Sequence, residues 1–309
     1  MKDQSKASDG ISRRQFLQTT TLAGAAMLST GAASVALAGV PAPVRTVADQ
    51  VTLGKTGLKL SRLGFGLGSN NGKEQAALGK DGFNKLIHYA YDQGITCFDT
   101  AQSYMTFKMI GEAIKGLPRE KLFIQSKVEG NPADILGTID QHRKTFDTDY
   151  VDSLLLHSMT NGKWADNLKR AMDGLSAAQE KKWIRAKGIS SHCLPALRTC
   201  VSSDWPEVLL ARVNPQGIHT DVEDGNVWNS VGHDIAPVME QVKAAHAKGA
   251  GVIGIKIYGN GEFKKPEDRE KSIRFAMACK DIDAVVIGFS SQAQIDEAIE
   301  RINRALKEV

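Results

Sequence analysis

Cysteine, aromatic residues and charge of one sign are all scarce in this chain, and each shortage removes a class of protein. The four cysteines, Cys97, Cys193, Cys200 and Cys279, contain no CxxC pair, so no thiolate zinc site is expected, and no other metal site is read. Cys193 and Cys200 are placed at the two ends of one helix. Seven residues of helical rise separate them by about 10.5 Å, too far for a disulfide. All four read as packing residues. Aromatics make up 6% of the chain, and 39 basic residues nearly balance 35 acidic ones. No basic stripe interleaves with aromatic residues, so nucleic acid is not an expected partner. The one long uncharged stretch, Thr19 to Leu37, is rich in Gly, Ala and Thr and poor in Leu, Ile and Phe. Stable membrane insertion is therefore not expected.

What precedes and follows that stretch is informative. Ser12-Arg13-Arg14-Gln15-Phe16-Leu17 resembles the twin-arginine export motif. Ala36-Leu37-Ala38 offers small residues for cleavage, and no cysteine follows that a lipid could modify. Residues 1–38 therefore read as a twin-arginine signal peptide and 39–50 as a linker. The implied partner is the twin-arginine export machinery, and the implied location is the periplasm or beyond.

The chain has 309 residues, of which 42% are hydrophobic. That suits one α/β barrel, for which roughly 250 residues is usual, or two smaller domains. Short apolar runs recur near 63–67, 96–99, 122–127, 151–157, 186–190, 208–213, 252–257 and 284–288. Helical periodicity separates them, at 81–93, 105–115, 132–146, 164–182, 193–202, 233–248, 267–279 and 292–306. Continuous apolar strands alternating with helices indicate a parallel sheet buried on both faces. The fold class expected is α/β, a (β/α)8 TIM barrel over 51–309. An N-terminal β-hairpin at 51–60, with Gly54 and Gly57, precedes the first barrel strand. Asn131-Pro132 reads as N-cap and N1, with Asp134 at the capping-box place. Ile295, Ala298, Ile299, Ile302 and Leu306 share one face of the last helix. The four tryptophans read as packing residues, and His88, His142 and His246 as solvated helix positions.

Four polar residues sit where apolar strands should end: Asp99, Tyr104, Lys127 and His157. A buried carboxylate and a buried lysine are costly alone, so they must pair. A lysine beside a tyrosine favours the phenolate and lowers the phenol's pKa. A neighbouring histidine can orient a carbonyl oxygen. The plainer alternative is an Asp99–Lys127 ion pair with Tyr104 and His157 packed beside it. At the C-terminal rim of a barrel, where such folds place their chemistry, the four make a proton donor for carbonyl reduction.

Here the chain resembles the aldo-keto reductases, on TLGKTGLKLSRLGFGLG (52–68), FDTAQSY (98–104), IGEAIKGLPREKLFIQSKV (110–128), DTDYVDSLLLH (147–157) and AKGIS (186–190). The resemblance implies that NADPH, with NADH as the alternative, gives hydride to the aldehyde or ketone carbonyl of a small-molecule substrate. It makes Tyr104 the proton donor, Lys127 its partner, Asp99 the acid that holds Lys127, and His157 the group that orients the carbonyl.

It also implies a dinucleotide lying across the rim. Its phosphates would meet the helix start after Gly288, with Ser290, Ser291 and Gln294, where free N–H groups accept anions. Its carboxamide would meet Ser190 and Ser191, the latter in place of the family's asparagine. An arginine near Ser291 and an asparagine near Ala298, usual in members that prefer NADPH, are absent. Arg212 and Lys256 interrupt otherwise apolar strands. They read either as side chains that snorkel to the rim or as an anion pocket for a cofactor phosphate or a substrate carboxylate. Two other functions stay open: a nucleotide-binding regulatory or interaction subunit with little turnover, and a barrel lyase using Lys127 as a Schiff-base nucleophile.

Overall fold

In the computed structural model, which describes residues 45–226 and 228–309, strands and helices alternate from one end to the other. The expected signal segment lies outside the described residues. Ten strands are present among those described: β1 (Gln50–Thr52), β2 (Lys59–Ser61), β3 (Leu63–Gly66), β4 (Cys97–Asp99), β5 (Phe123–Val128), β6 (Val151–Met159), β7 (Ile184–Ser191), β8 (Val208–Arg212), β9 (Gly251–Ile255) and β10 (Ala284–Gly288). The helices are α1 (Lys73–Ala76), α2 (Gly79–Asp92), α3 (Phe107–Ala113), α4 (Ile135–Thr145), α5 (Trp164–Asn167), α6 (Lys169–Glu180), α7 (Leu194–Ser202), α8 (Ala236–Lys248), α9 (Pro266–Ala278) and α10 (Gln292–Ala305).

Strands β3 to β10 close into a parallel barrel in sequence order, with β10 returning to pair with β3. The eight apolar runs expected to be barrel strands all occupy it. Each is buried on both faces, by the barrel interior and by the helix layer, which is why their sequences do not alternate. The outer core joins strand residues to helix residues such as Phe83, Ile110, Ile139, Leu175, Val242, Ile273, Ile295 and Ile302.

β1 and β2 form the expected antiparallel hairpin, with Val51 opposite Leu60. Its Leu53, Leu58 and Leu60 join Phe123, Leu155, Val208, Leu210 and Ile253 in a second core inside the barrel. The hairpin therefore covers the N-terminal end of the barrel. The last part of the expected linker is not free chain: Val47 is buried, and its N–H donates to Asn303 Oδ1 at 2.9 Å.

Several local expectations change. Helix α4 starts at Ile135, because Asp134 is itself the N-cap and its Oδ1 accepts from the N–H of Gly137 at 2.8 Å. Asn131 instead ties the start of α6, accepting from the N–H of Ala171 and donating to the carbonyl of Asn167. The helix expected over 164–182 is two helices, α5 and α6. His142 is not solvated: it is 1% exposed and faces the carbonyls of Thr138 and Lys127. His246 pairs with Asp281 and Asp283. Trp228 is 68% exposed, while Trp164 is buried and donates to the carbonyl of Ala196. Cys193 caps α7 and Cys200 lies within it; all four cysteines are free.

Candidate active site

Three parallel strands deliver the four polar residues to one end of the barrel. Asp99 is the last residue of β4, Lys127 is the penultimate residue of β5, and His157 stands near the end of β6. Tyr104 lies in the turn between β4 and α3, its N–H donating to the carbonyl of Ala101. Parallel pairing brings these ends together although the residues span 58 positions of sequence, from 99 to 157.

Lys127 is 1% exposed and fully engaged. Its Nζ donates to Asp99 Oδ1 at 2.8 Å and to the carbonyl of Thr100 at 2.7 Å. Asp99 Oδ1 also accepts from Gln125 Nε2 at 2.9 Å. The ammonium lies 5.1 Å from the centroid of the Tyr104 ring. Burial disfavours its charge, but Asp99 and Tyr104 more than compensate, and its pKa stands above the ordinary lysine value.

The Tyr104 hydroxyl lies 3.4 Å from His157 Nε2, and the two rings meet edge to face. Here the sequence expectation is corrected. Burial raises the phenol's pKa above its ordinary value, and the lowering by Lys127 does not overcome it. In the free protein Tyr104 is thus held as the neutral phenol. The other face of His157 is also occupied. Its Nδ1 contacts Glu129 Oε1, which further accepts from Ser103 Oγ at 2.6 Å. Glu129 and Ser103 thus tie the histidine to the tyrosine loop.

A cavity of about 410 Å³ opens over this group. Among the sequence-derived candidates, Asp99, Tyr104, Lys127, Ser190, Lys256, Gly288 and Gln294 line it. His157 adjoins it through Tyr104. Ser191 turns away: it is fully buried and its Oγ donates to the carbonyl of Cys193. Ser290 and Ser291 shape the start of α10. Ser291 Oγ accepts weakly from the N–H of Gln294, and the Gln294 side chain accepts from the N–H of Ser290 at 2.7 Å.

Arg212 does not reach the cavity. It is fully buried, and its Nε donates to Asp221 Oδ1 at 2.6 Å while another guanidinium nitrogen donates to the carbonyls of His192 and Thr220. Burial raises the pKa of Asp221 against the pull of Arg212. The anion that compensates this arginine is therefore internal, and its snorkelling is excluded as well.

Several polar cavity-lining groups went unread in the sequence, and two of them lie within a few positions of a strand end. His192, just past β7, has a ring centroid 6.4 Å from that of His157. Burial, then Arg212 and His157, hold its pKa well below the ordinary imidazole value. Its Nδ1 and the nearby Ser190 Oγ are both buried without a protein partner among the described residues. The second group is Asn260, in the turn after β9. Both could have been found by reading every polar residue within a few positions of a strand end, which is also the place of Glu129.

A nicotinamide dinucleotide suits these features: an unpaired Ser190 hydroxyl and His192 nitrogen in the same cavity as the tyrosine, and the start of α10, with Gln294 lining that cavity. The chain's L-galactose dehydrogenase relative in Arabidopsis thaliana is 25% identical over 297 residues, covering 81% of this chain and 86% of that protein. A relative in Glycine max, "Probable aldo-keto reductase 1", is 33% identical over 122 residues, which are 35% of each chain. Among solved structures, an aldo-keto reductase from Bacillus halodurans in its holo form superposes with a TM-score of 0.65 at 17% identity, covering 84% of this chain and 95% of that one. A Pseudomonas aeruginosa protein described as an aldo-keto reductase gives 0.68 at 20% identity, covering 84% and 97%. At these identities the structural likenesses bear on the fold. The sequence profile of the Aldo/keto reductase family matches residues 62–308, and the chain accordingly belongs to that family of oxidoreductases.

Proposed function

We propose that the protein reduces aldehyde or ketone carbonyls of small molecules to alcohols, with Tyr104 as general acid. The observation that carries this reading is the arrangement around one phenol. A buried Asp99–Lys127 pair stands on one side, His157 on the other, and the cavity lies in front. A bound nicotinamide dinucleotide, NADPH or alternatively NADH, would supply the hydride to the carbonyl carbon. Ser190, with its unpaired buried hydroxyl, and the α10 start at Gly288, Ser290, Ser291 and Gln294 are the residues that would hold it.

The chain's own groups handle the proton. Burial keeps Tyr104 protonated and ready to donate. As oxygen gains negative charge, the Tyr104 proton moves to it, and the phenolate left behind is stabilised by the Lys127 ammonium. Asp99 and Gln125 hold Lys127 in place. His157, fixed by Glu129, positions the carbonyl oxygen beside the phenol.

The rival readings fare less well. A Schiff-base lysine needs a free amine aimed at substrate, whereas Lys127 Nζ is committed to Asp99 and Thr100. A regulatory subunit with little turnover has no need of an assembled acid.

Tyr104→Phe should lower turnover of simple aldehydes by about two to four orders of magnitude, the usual worth of a general acid, while nucleotide affinity holds. Steady-state kinetics beside nucleotide fluorescence titration make the check. Near-wild-type turnover would sink the mechanism.

A further inference from the structure

Lys256 is a predicted site residue whose charge meets no carboxylate at ion-pair distance among the described residues. It follows β9 directly, and its backbone is left-handed, with φ of +61°, a conformation uncommon for a side chain other than glycine, asparagine or aspartate. That backbone is held in place: its carbonyl accepts from Asn214 Nδ2 at 3.1 Å and from the N–H of Gly259 at 2.8 Å. The ammonium lines the cavity and donates to Asn260 Oδ1 at 2.7 Å. Asn260, on the Gly259–Gly261 turn and also left-handed, lines the same cavity.

The cavity also holds the carboxylates of Glu74, Asp99 and Glu297, but the charges that act most on Lys256 are of its own sign. Arg212 acts on it from β8, behind the cavity wall, and Lys127 from β5, while the neutral His192 ring lines the same cavity after β7. Arg212 has Asp221 and Lys127 has Asp99, but no carboxylate among the described residues pairs with Lys256. Burial, then Arg212 and Lys127, push its pKa down to about 8. A strained, anchored backbone thus holds a cation inside a cavity with a neutral amide as its hydrogen-bond acceptor. Such a cation is stable there when an anion joins it.

We propose that Lys256 and Asn260 form an oxyanion subsite within the cavity, taking a phosphate or carboxylate oxygen of the ligand. Lys256 supplies the charge. Asn260 uses its carbonyl oxygen to aim the ammonium and retains its amide N–H groups as donors. The reductase reading above is needed only to name the sources of the anion: the diphosphate of the dinucleotide or the carboxylate of an acidic carbonyl substrate.

A proton must accompany the anion. Below about pH 7 Lys256 is already charged and binding moves no proton. Near pH 8 to 9 the free lysine is partly neutral, so an arriving anion draws a proton onto it. Affinity should therefore fall as pH rises past 8.

Isothermal titration of the full chain, in buffers of different ionisation enthalpy, reads both affinity and proton uptake. The probes are NADP+, inorganic pyrophosphate, and oxamate added with saturating NADP+. With NADP+, uptake should be a fraction of one proton near pH 8.5 and vanish near pH 6. In Lys256→Met that uptake should be lost and affinity should fall about tenfold to a hundredfold at low salt, the worth of one charge-assisted hydrogen bond. The penalty should shrink as salt rises. Lys256→Arg should keep affinity without uptake.

Loss confined to oxamate would make the substrate carboxylate the occupant, and pyrophosphate tests the subsite should no nucleotide bind. If wild type takes up no proton with any probe, or if Lys256→Met binds all three as wild type does, the subsite is overturned. Should Lys256→Met fail to fold, wild-type uptake and Lys256→Arg decide. Carbonyl turnover without these binding signatures would discard the subsite and leave the reductase reading standing.

Discussion

At the scale of single residues, the site depends on what is absent beside Tyr104 as much as on what is present. Gly68 follows β3 with an ordinary φ of −110°, so its backbone needs no glycine. Its neighbour does: a Cβ built there would lie 2.3 Å from Tyr104 Cζ and 2.5 Å from the phenol oxygen. The phenol occupies the space of a side chain that Gly68 lacks. Gly68→Ala should therefore displace the hydroxyl while leaving the barrel intact. A displacement of about 1 Å at a reacting group can cost on the order of a hundredfold in rate, so turnover should fall at least tenfold. The measurement pairs kcat with thermal unfolding. A variant of normal melting temperature and normal kcat would show that Tyr104 tolerates the shift.

At the scale of elements, the strands that carry the site are fastened at their opposite ends. Asp152, near the start of β6, is fully buried. Its Oδ2 accepts from Arg119 at 2.7 Å and from the N–H of Ile124 at 2.9 Å, and its Oδ1 accepts from Arg185 at 2.8 Å. One carboxylate thereby ties β5, β6 and β7 together. Replacement by alanine orphans a buried N–H and two cations. Removing one partner of a buried pair costs about 3 to 5 kcal/mol. The lower end applies here, because the side chains of Arg119 and Arg185 are 21% and 46% exposed and can turn to water. Asp152→Ala should therefore lose about 3 kcal/mol in urea denaturation. Since the tetrad is at the other end of the barrel, kcat of the folded fraction should not change. A loss under about 1 kcal/mol would mean that the neighbouring backbone re-pairs without the carboxylate.

At the scale of the whole molecule, the barrel is closed below by the β1–β2 hairpin and open above at the cavity. The twin-arginine reading of residues 1–38 adds a proposal about where this barrel works. That route carries folded proteins, so a cofactor held by the barrel would travel with it. Replacing Arg13 and Arg14 with lysine should leave an uncut precursor in the cytoplasm, read by cell fractionation and the mass of the N-terminus. An unchanged exported fraction would remove the signal from the account.

Pattern by itself determined the barrel and where its polar strand ends gather. Eight continuous apolar runs separated by helical periodicity leave little choice but a parallel sheet covered on both faces. A polar residue closing such a run must stand at the rim, so Asp99, Lys127 and His157 were legible as a group, with Tyr104 a few residues beyond. Tertiary structure alone decided the partners. Arg212 could not be told from a rim cation until Asp221, nine positions later, folded back upon it. His142 could not be told from a surface histidine until the carbonyl of Lys127 closed over it. The direction of the Tyr104 shift turned on how deeply the phenol is buried, which no spacing encodes. A side chain's place along a strand is a local property set by period and propensity. Its charge state and its ligand depend on what other segments bring within a few ångströms, and that is set only when the barrel closes.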